Sequence, residues 1–163
     1  MNDNPSKKHA FRINDVEKTT GTSYPAPFDQ VAEGRIKRAV GDHAGLSDYG
    51  VNIVTLPPGA ASAQRHWHEQ EEEFTYMMAG ELVLITDDGE ELITAGMMMG
   101  FPAGYPNAHH LVNRSSSNAM YMEIGTRRPQ DIPHYPDVDL MLSWENGADV
   151  FTHKDGTPYP EKD

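Results

Sequence analysis

The chain has 163 residues, 37% of them hydrophobic, with 14 Gly, 12 Pro and no Cys, which fits one turn-rich globular domain leaning towards β structure. Its formal net charge of −12, from 25 acidic against 13 basic side chains, speaks against nucleic acid or an anionic membrane as a partner. The absence of thiols excludes disulfides and thiolate chemistry, so any metal must be held by His or carboxylate.

In chain order, residues 1–33 read as a polar N-terminal arm that carries Tyr24-Pro25-Ala26-Pro27. The arm has no apolar signal-peptide core, and no run in the chain approaches membrane-spanning length, so a soluble, cytoplasmic protein is expected. Residues 34–126 carry strand signals at 35–40, 50–56, 63–68, 73–79, 81–86, 90–95, 109–113 and 119–125. Pro57-Pro58-Gly59 and Asp87-Asp88-Gly89 mark turns between them, the second a tight hairpin. Many short strands at close spacing predict an all-β antiparallel sandwich or barrel, with a jelly roll as one option. Residues 127–163, with Pro129, Pro133, Pro136, Pro158 and Pro160, read as a C-terminal extension that packs on the barrel with little regular structure.

Inside this pattern His66 and His68 stand two residues apart. On a strand, such side chains leave the same face and reach one ion, whereas on a helix they diverge. Glu73 adds an anionic oxygen, and His109 a third nitrogen from a distant segment. Three His and one carboxylate suit one divalent transition metal, Zn, Mn, Fe, Co or Ni, better than Mg or Ca. The competing reading is a solvated acidic turn, since Glu69, Glu71 and Glu72 lie close by. Four positions in register favour the metal. Strand parity selects Glu73 over Glu72 by setting it opposite Phe74, Tyr76 and Met78. The same parity turns Trp67 away from the metal, to pack against the opposite layer. Met97, Met98 and Met99 read as core filling near the barrel mouth. His9, His43, His134 and His153 fit no ligand pattern and are expected in surface or loop roles.

Gly59, His66-Trp67-His68, Glu73 and Gly80 resemble the first motif of the cupins, with one extra residue in the first gap. Gly96, Pro102, Gly104, His109 and Asn113 resemble the second, with four residues between Gly104 and His109 where the pattern has two. The spacing to Asn113 favours His109 as the fourth ligand, with His110 as the alternative; if His109 ligates, His110 is a strand residue whose ring faces away from the metal. The resemblance implies a double-stranded β-helix, that is, a jelly-roll cupin barrel. It also implies a homodimer, and the apolar outer face of Phe74, Tyr76 and Met78 suits one.

Small single-domain bacterial cupins of this kind include some labelled sugar-phosphate isomerases. On that resemblance the chain is expected to act on a small oxygen-rich metabolite, with a sugar-phosphate isomerase as the leading form. Two adjacent substrate oxygens would meet the metal, and Arg65 and Arg114 are the candidate substrate-binding contacts to phosphate. No catalytic residue is assigned. An iron-dependent dioxygenase and a non-catalytic, metal-dependent small-molecule-binding module are the alternatives, and metal identity separates them best.

Overall fold

The computed structural model describes residues 9–145 and 148–160. In chain order it has β1 (Thr19–Thr20), β2 (Ile36–Arg38), the short helix α1 (Val40–Ala44), β3 (Tyr49–Leu56) and β4 (Trp67–His68). There follow β5 (Glu73–Ala79), β6 (Glu81–Thr86), β7 (Gly89–Thr94), β8 (Met98–Phe101), β9 (His110–Val112) and β10 (Ala119–Thr126). The chain ends with β11 (Pro133–His134), β12 (Met141–Glu145) and β13 (Ala148–Thr152). The fold is all-β and almost free of helix, and no helix among the described residues is long and apolar enough to cross a membrane.

Every strand pairing is antiparallel. One sheet runs β1-β2-β3-β10-β5-β8, a second β13-β12-β11-β4, and a third β7-β6-β9. A single bridge between His66 and His109 links the last two sheets across the segments that precede β4 and β9. The metal-site candidates therefore sit where two short strands meet.

Alternation of side chains builds the core. On β5, Thr75 and Met77 are buried at 6% and 0% exposure, while Phe74 and Met78 each stay 40% exposed on the outer face. Val54 and Leu56 from β3, Tyr121 from β10, Leu82 and Leu84 from β6, and Leu111 from β9 join Met77 in one cluster, so the core lies between the first and third sheets. A second cluster packs Tyr24 of the arm against Tyr135 and Leu140 of the C-terminal segment.

Three expectations need correction. The segment 35–40 leaves strand geometry after Arg38 and turns into α1, whose Gly41 lies against the backbone of Val51. The segment 63–68 is regular strand only at Trp67–His68. The C-terminal segment was expected to have little regular structure, yet it forms β11 to β13 and adds three strands beside β4. Pairing of Met141–Glu145 with Ala148–Thr152 satisfies the backbone there, which prolines alone would not predict. β8 is a further strand that the sequence did not announce. Met98-Met99-Gly100-Phe101 is short and lacks β-branched residues, and its pairing with β5 makes it a strand.

Candidate metal centre

Each cluster residue owes its place to a strand or a strand end. His66 and His68 flank Trp67 at the entry to β4, Glu73 opens β5, and His109 immediately precedes β9. The His66–His109 bridge is a closed pair of backbone hydrogen bonds, His66 N–H to His109 O at 3.1 Å and His109 N–H to His66 O at 2.8 Å. It fixes both imidazoles on one side of the joint.

The four side chains converge on a single oxygen. Glu73 Oε2 lies 2.9 Å from His109 Nε2, 3.8 Å from His68 Nε2 and 3.9 Å from His66 Nε2. His66, His68 and Glu73 by themselves form a group able to hold a metal ion. The outer nitrogens are fixed by acceptors. His66 Nδ1 meets the Gln64 carbonyl at 2.8 Å, and His68 Nδ1 meets the Asp131 carboxylate at 2.5 Å. Both partners only accept, so each ring carries its proton on Nδ1 and points the Nε2 lone pair at the cluster centre. The donor set thus fits a divalent transition metal. One atom departs from this order: His109 Nδ1 is buried with no partner among the described residues, and its ring stacks flat on Phe101 with centroids 3.5 Å apart.

The electrostatics set His66 and Glu73, but not His68, in a ligand-ready state. Burial pushes the His66 imidazole down to about 4, which leaves it neutral at neutral pH. Burial alone would raise the Glu73 carboxyl, but the His109 hydrogen bond and the neighbouring imidazoles hold it down to about 2. Burial opposes charge on His68 most strongly, but the Asp131 hydrogen bond together with the charges of Glu73, Asp131 and Glu71 raises the group.

The structure brings His66, His68, Glu73 and His109 together. His110 lies on β9 with Nδ1 on the Ala63 carbonyl at 3.1 Å, outside this group. The two arginines expected at the substrate are elsewhere. Arg65 is tied to Asp87 and Asp137, and Arg114 makes a two-pronged pair with Glu90 on the surface at 2.6 and 2.7 Å. Neither lines a cavity that touches Glu73, because each guanidinium is committed to carboxylates. Trp67 stacks on His134, with centroids 4.3 Å apart, instead of packing into the opposite layer. Asn107, within the longer gap before His109, donates to Asp88 at 2.6 Å and accepts from Asp87 N–H at 2.9 Å. The extra residues thereby tie this loop to the β6–β7 turn.

Sequence reasoning missed Asp131, Arg35, Tyr121 and Glu123. Asp131 sits in a proline-rich tail without periodicity. Arg35 is 31 residues before the first ligand, His66, in a polar segment. Parity along β10 was the available signal for Tyr121 and Glu123, since Leu56, the partner of Ala119, begins the same inward series.

An antiparallel jelly roll with three imidazoles and a carboxylate at a strand junction defines a metal-site β-barrel class. The Cupin domain family matches residues 52–125. A crystal structure from Silicibacter pomeroyi, described as a sugar phosphate isomerase from a cupin superfamily, is 38% identical. The match covers 93% of this chain and 96% of that one with a TM-score of 0.88. The chain belongs to the cupin superfamily. A proposed sugar phosphate isomerase from Acidithiobacillus ferrooxidans is 27% identical over 78% of this chain and 81% of its own, with a TM-score of 0.69. The polyketide cyclase RemF from Streptomyces resistomycificus, at 17% identity, 75% and 82% coverage and a TM-score of 0.60, shares the fold alone. No curated protein matches the chain at a significant level.

Proposed function

We propose that this cupin is a homodimeric, metal-dependent enzyme for a small oxygen-rich metabolite, with sugar-phosphate isomerisation as the specific reaction. The observation that carries the reading is the convergence of three imidazole Nε2 atoms on Glu73 Oε2. The Silicibacter pomeroyi relative, described as a sugar phosphate isomerase, supports the choice of reaction.

When bound, a divalent metal polarises a carbonyl and its neighbouring hydroxyl and so acidifies the C–H between them. The chain's own residues supply the rest. His66 and His68 hold their protons outward on Gln64 and Asp131, which keeps both inner nitrogens basic. Glu73 stays anionic and balances the metal's charge. Phe101 covers one face of His109 and limits water there.

The test incubates metal-loaded protein with a panel of aldose and ketose phosphates in deuterated water. Solvent deuterium at C1 or C2 of a panel member is the expected result. No exchange across the panel, together with oxygen uptake by the iron-loaded protein on a catechol or thiol panel, would replace isomerisation with dioxygenase chemistry. Elemental analysis of the protein as purified identifies the metal.

A further inference from the structure

Behind the histidine cluster lies a second, smaller space. A cavity of about 170 Å³ shares His66, Glu73 and His109 with the cluster and continues inward to Tyr24, Arg35, Thr75, Tyr121 and Glu123. Its volume is below the 300–1,000 Å³ of ordinary small-molecule sites, so it admits only a short molecule or the end of one.

The lining is polar in a particular way. Tyr121 is 1% exposed, and its hydroxyl has no hydrogen-bond partner of ordinary geometry among the described residues, although the Ser62 side chain lines the same cavity. With at most the Ser62 side chain as a partner, that hydroxyl keeps hydrogen-bonding capacity for a molecule in the cavity. Glu123 stands two residues along β10, opposite Thr75 on β5, and accepts from Asn52 Nδ2 at 2.9 Å with one oxygen, which leaves the other available. Arg35 closes the far side. Its three kinds of guanidinium nitrogen donate to the Gly21 and Ser62 carbonyls, so it braces the wall and anchors the arm that carries Tyr24.

We propose that this cavity receives the uncharged, hydroxylated carbon chain of the ligand, with the Tyr121 hydroxyl and the Glu123 carboxyl as its hydrogen-bonding floor. The inference rests on the metal-centre reading above, because a ligand lodged there presents its nearer oxygens to Glu73 and the three imidazoles. Hydroxyl groups both donate and accept, which matches a wall that mixes a phenol, a carboxyl and a threonine hydroxyl. A phosphate would need a cluster of cations, whereas Arg35 is the one Arg or Lys lining this cavity and commits three of its five N–H donors to carbonyls. Burial and the nearby Glu73 charge raise the Glu123 carboxyl from its ordinary range, against the Asn52 hydrogen bond and the Lys37 and Arg35 charges.

The test uses metal-loaded protein titrated by calorimetry with glycerol, glyceraldehyde and erythrose. Tyr121→Phe removes one oxygen and keeps the ring, so the variant should melt no lower than the parent and hold the same metal content. Its affinity for the hydroxyaldehydes should fall by about tenfold. Glu123→Gln retains an acceptor for Asn52 and should show a comparable loss. Unchanged affinity in both variants would overturn the inference, as would a drop of several degrees in Tyr121→Phe, which would reveal a structural partner for the hydroxyl. Failure of the metal-loaded parent to bind any of the three probes would overturn it too, with the metal reading intact. A parent that takes up no divalent metal would remove both readings together.

Discussion

At the scale of single residues, Asp131 is the most informative side chain outside the four cluster members. One of its oxygens takes the His68 Nδ1 proton, and the other accepts the backbone N–H groups of Gln70 and Glu71 at 2.8 and 3.1 Å. It therefore couples the C-terminal segment to the ligand loop and sets the His68 tautomer at once. Asp131→Asn keeps an acceptor for the loop but removes the charge that holds the imidazole. Metal affinity, measured by chelator competition, should weaken by about tenfold or more while the fold survives. Equal affinity in parent and variant would remove Asp131 from the metal site. The cluster itself was legible because strand parity and carboxylate chemistry leave a local trace: His66 and His68 on one face, Glu73 opposite Phe74. Asp131 left none, since its role arises from a contact 63 residues away in sequence. Arg65 is next to His66 in the chain, yet its guanidinium is drawn to Asp87 and Asp137, contacts that sequence adjacency does not reveal.

Among the elements, β5, held between β10 and β8, carries the site's positional accuracy. Glu73 begins β5, and Gly80 links its far end to β6 in another sheet, about 23 Å away at the rise of an antiparallel strand. Gly80 has φ +78°, and a Cβ there would lie 3.0 Å from both Ala119 Cα and Asn118 O. Strain and collision with backbone add, so Gly80→Ala should cost about 1–3 kcal/mol in denaturant unfolding. Metal content of the folded variant should match the parent, since the defect sits at the other end of the strand. A midpoint equal to the parent's would contradict the packing described here. Strands with β-branched residues and clear flanking turns, such as Tyr49–Leu56 and Glu81–Thr86, were readable from sequence within one residue. The C-terminal strands were not, because Pro133 and Pro136 outweighed the alternation in Met141–Glu145.

Across the whole molecule, the outer face of the six-stranded sheet poses the remaining question. Helix α1 packs on β3 at Val51, which leaves the β10–β5–β8 portion of that face without a cover among the described residues. Phe74 and Met78 are 40% exposed and Met98 is 63% exposed. Phe74 is registered with Ile124, and Tyr76 with both Met122 and Met98, so these side chains form a continuous apolar surface. Scattered apolar residues are ordinary on a monomer, but a contiguous patch on a flat sheet marks an interface. A second copy of the chain is the simplest partner, since the face is largely uncharged in a molecule whose net charge is −12. Like charges elsewhere would then stay at the rim, where solvent screens them. Light scattering should report about twice 18.1 kDa at micromolar concentration. Phe74→Glu, at an exposed position directly after Glu73, would perturb the site as well as the face, so Met98→Glu is the cleaner variant. It places a charge within the proposed contact, on the edge strand β8, without touching a cluster residue, and should shift the mass towards 18.1 kDa while metal content is kept. A parent of single-chain mass would refute the dimer, and a dimeric Met98→Glu would move the interface to another face.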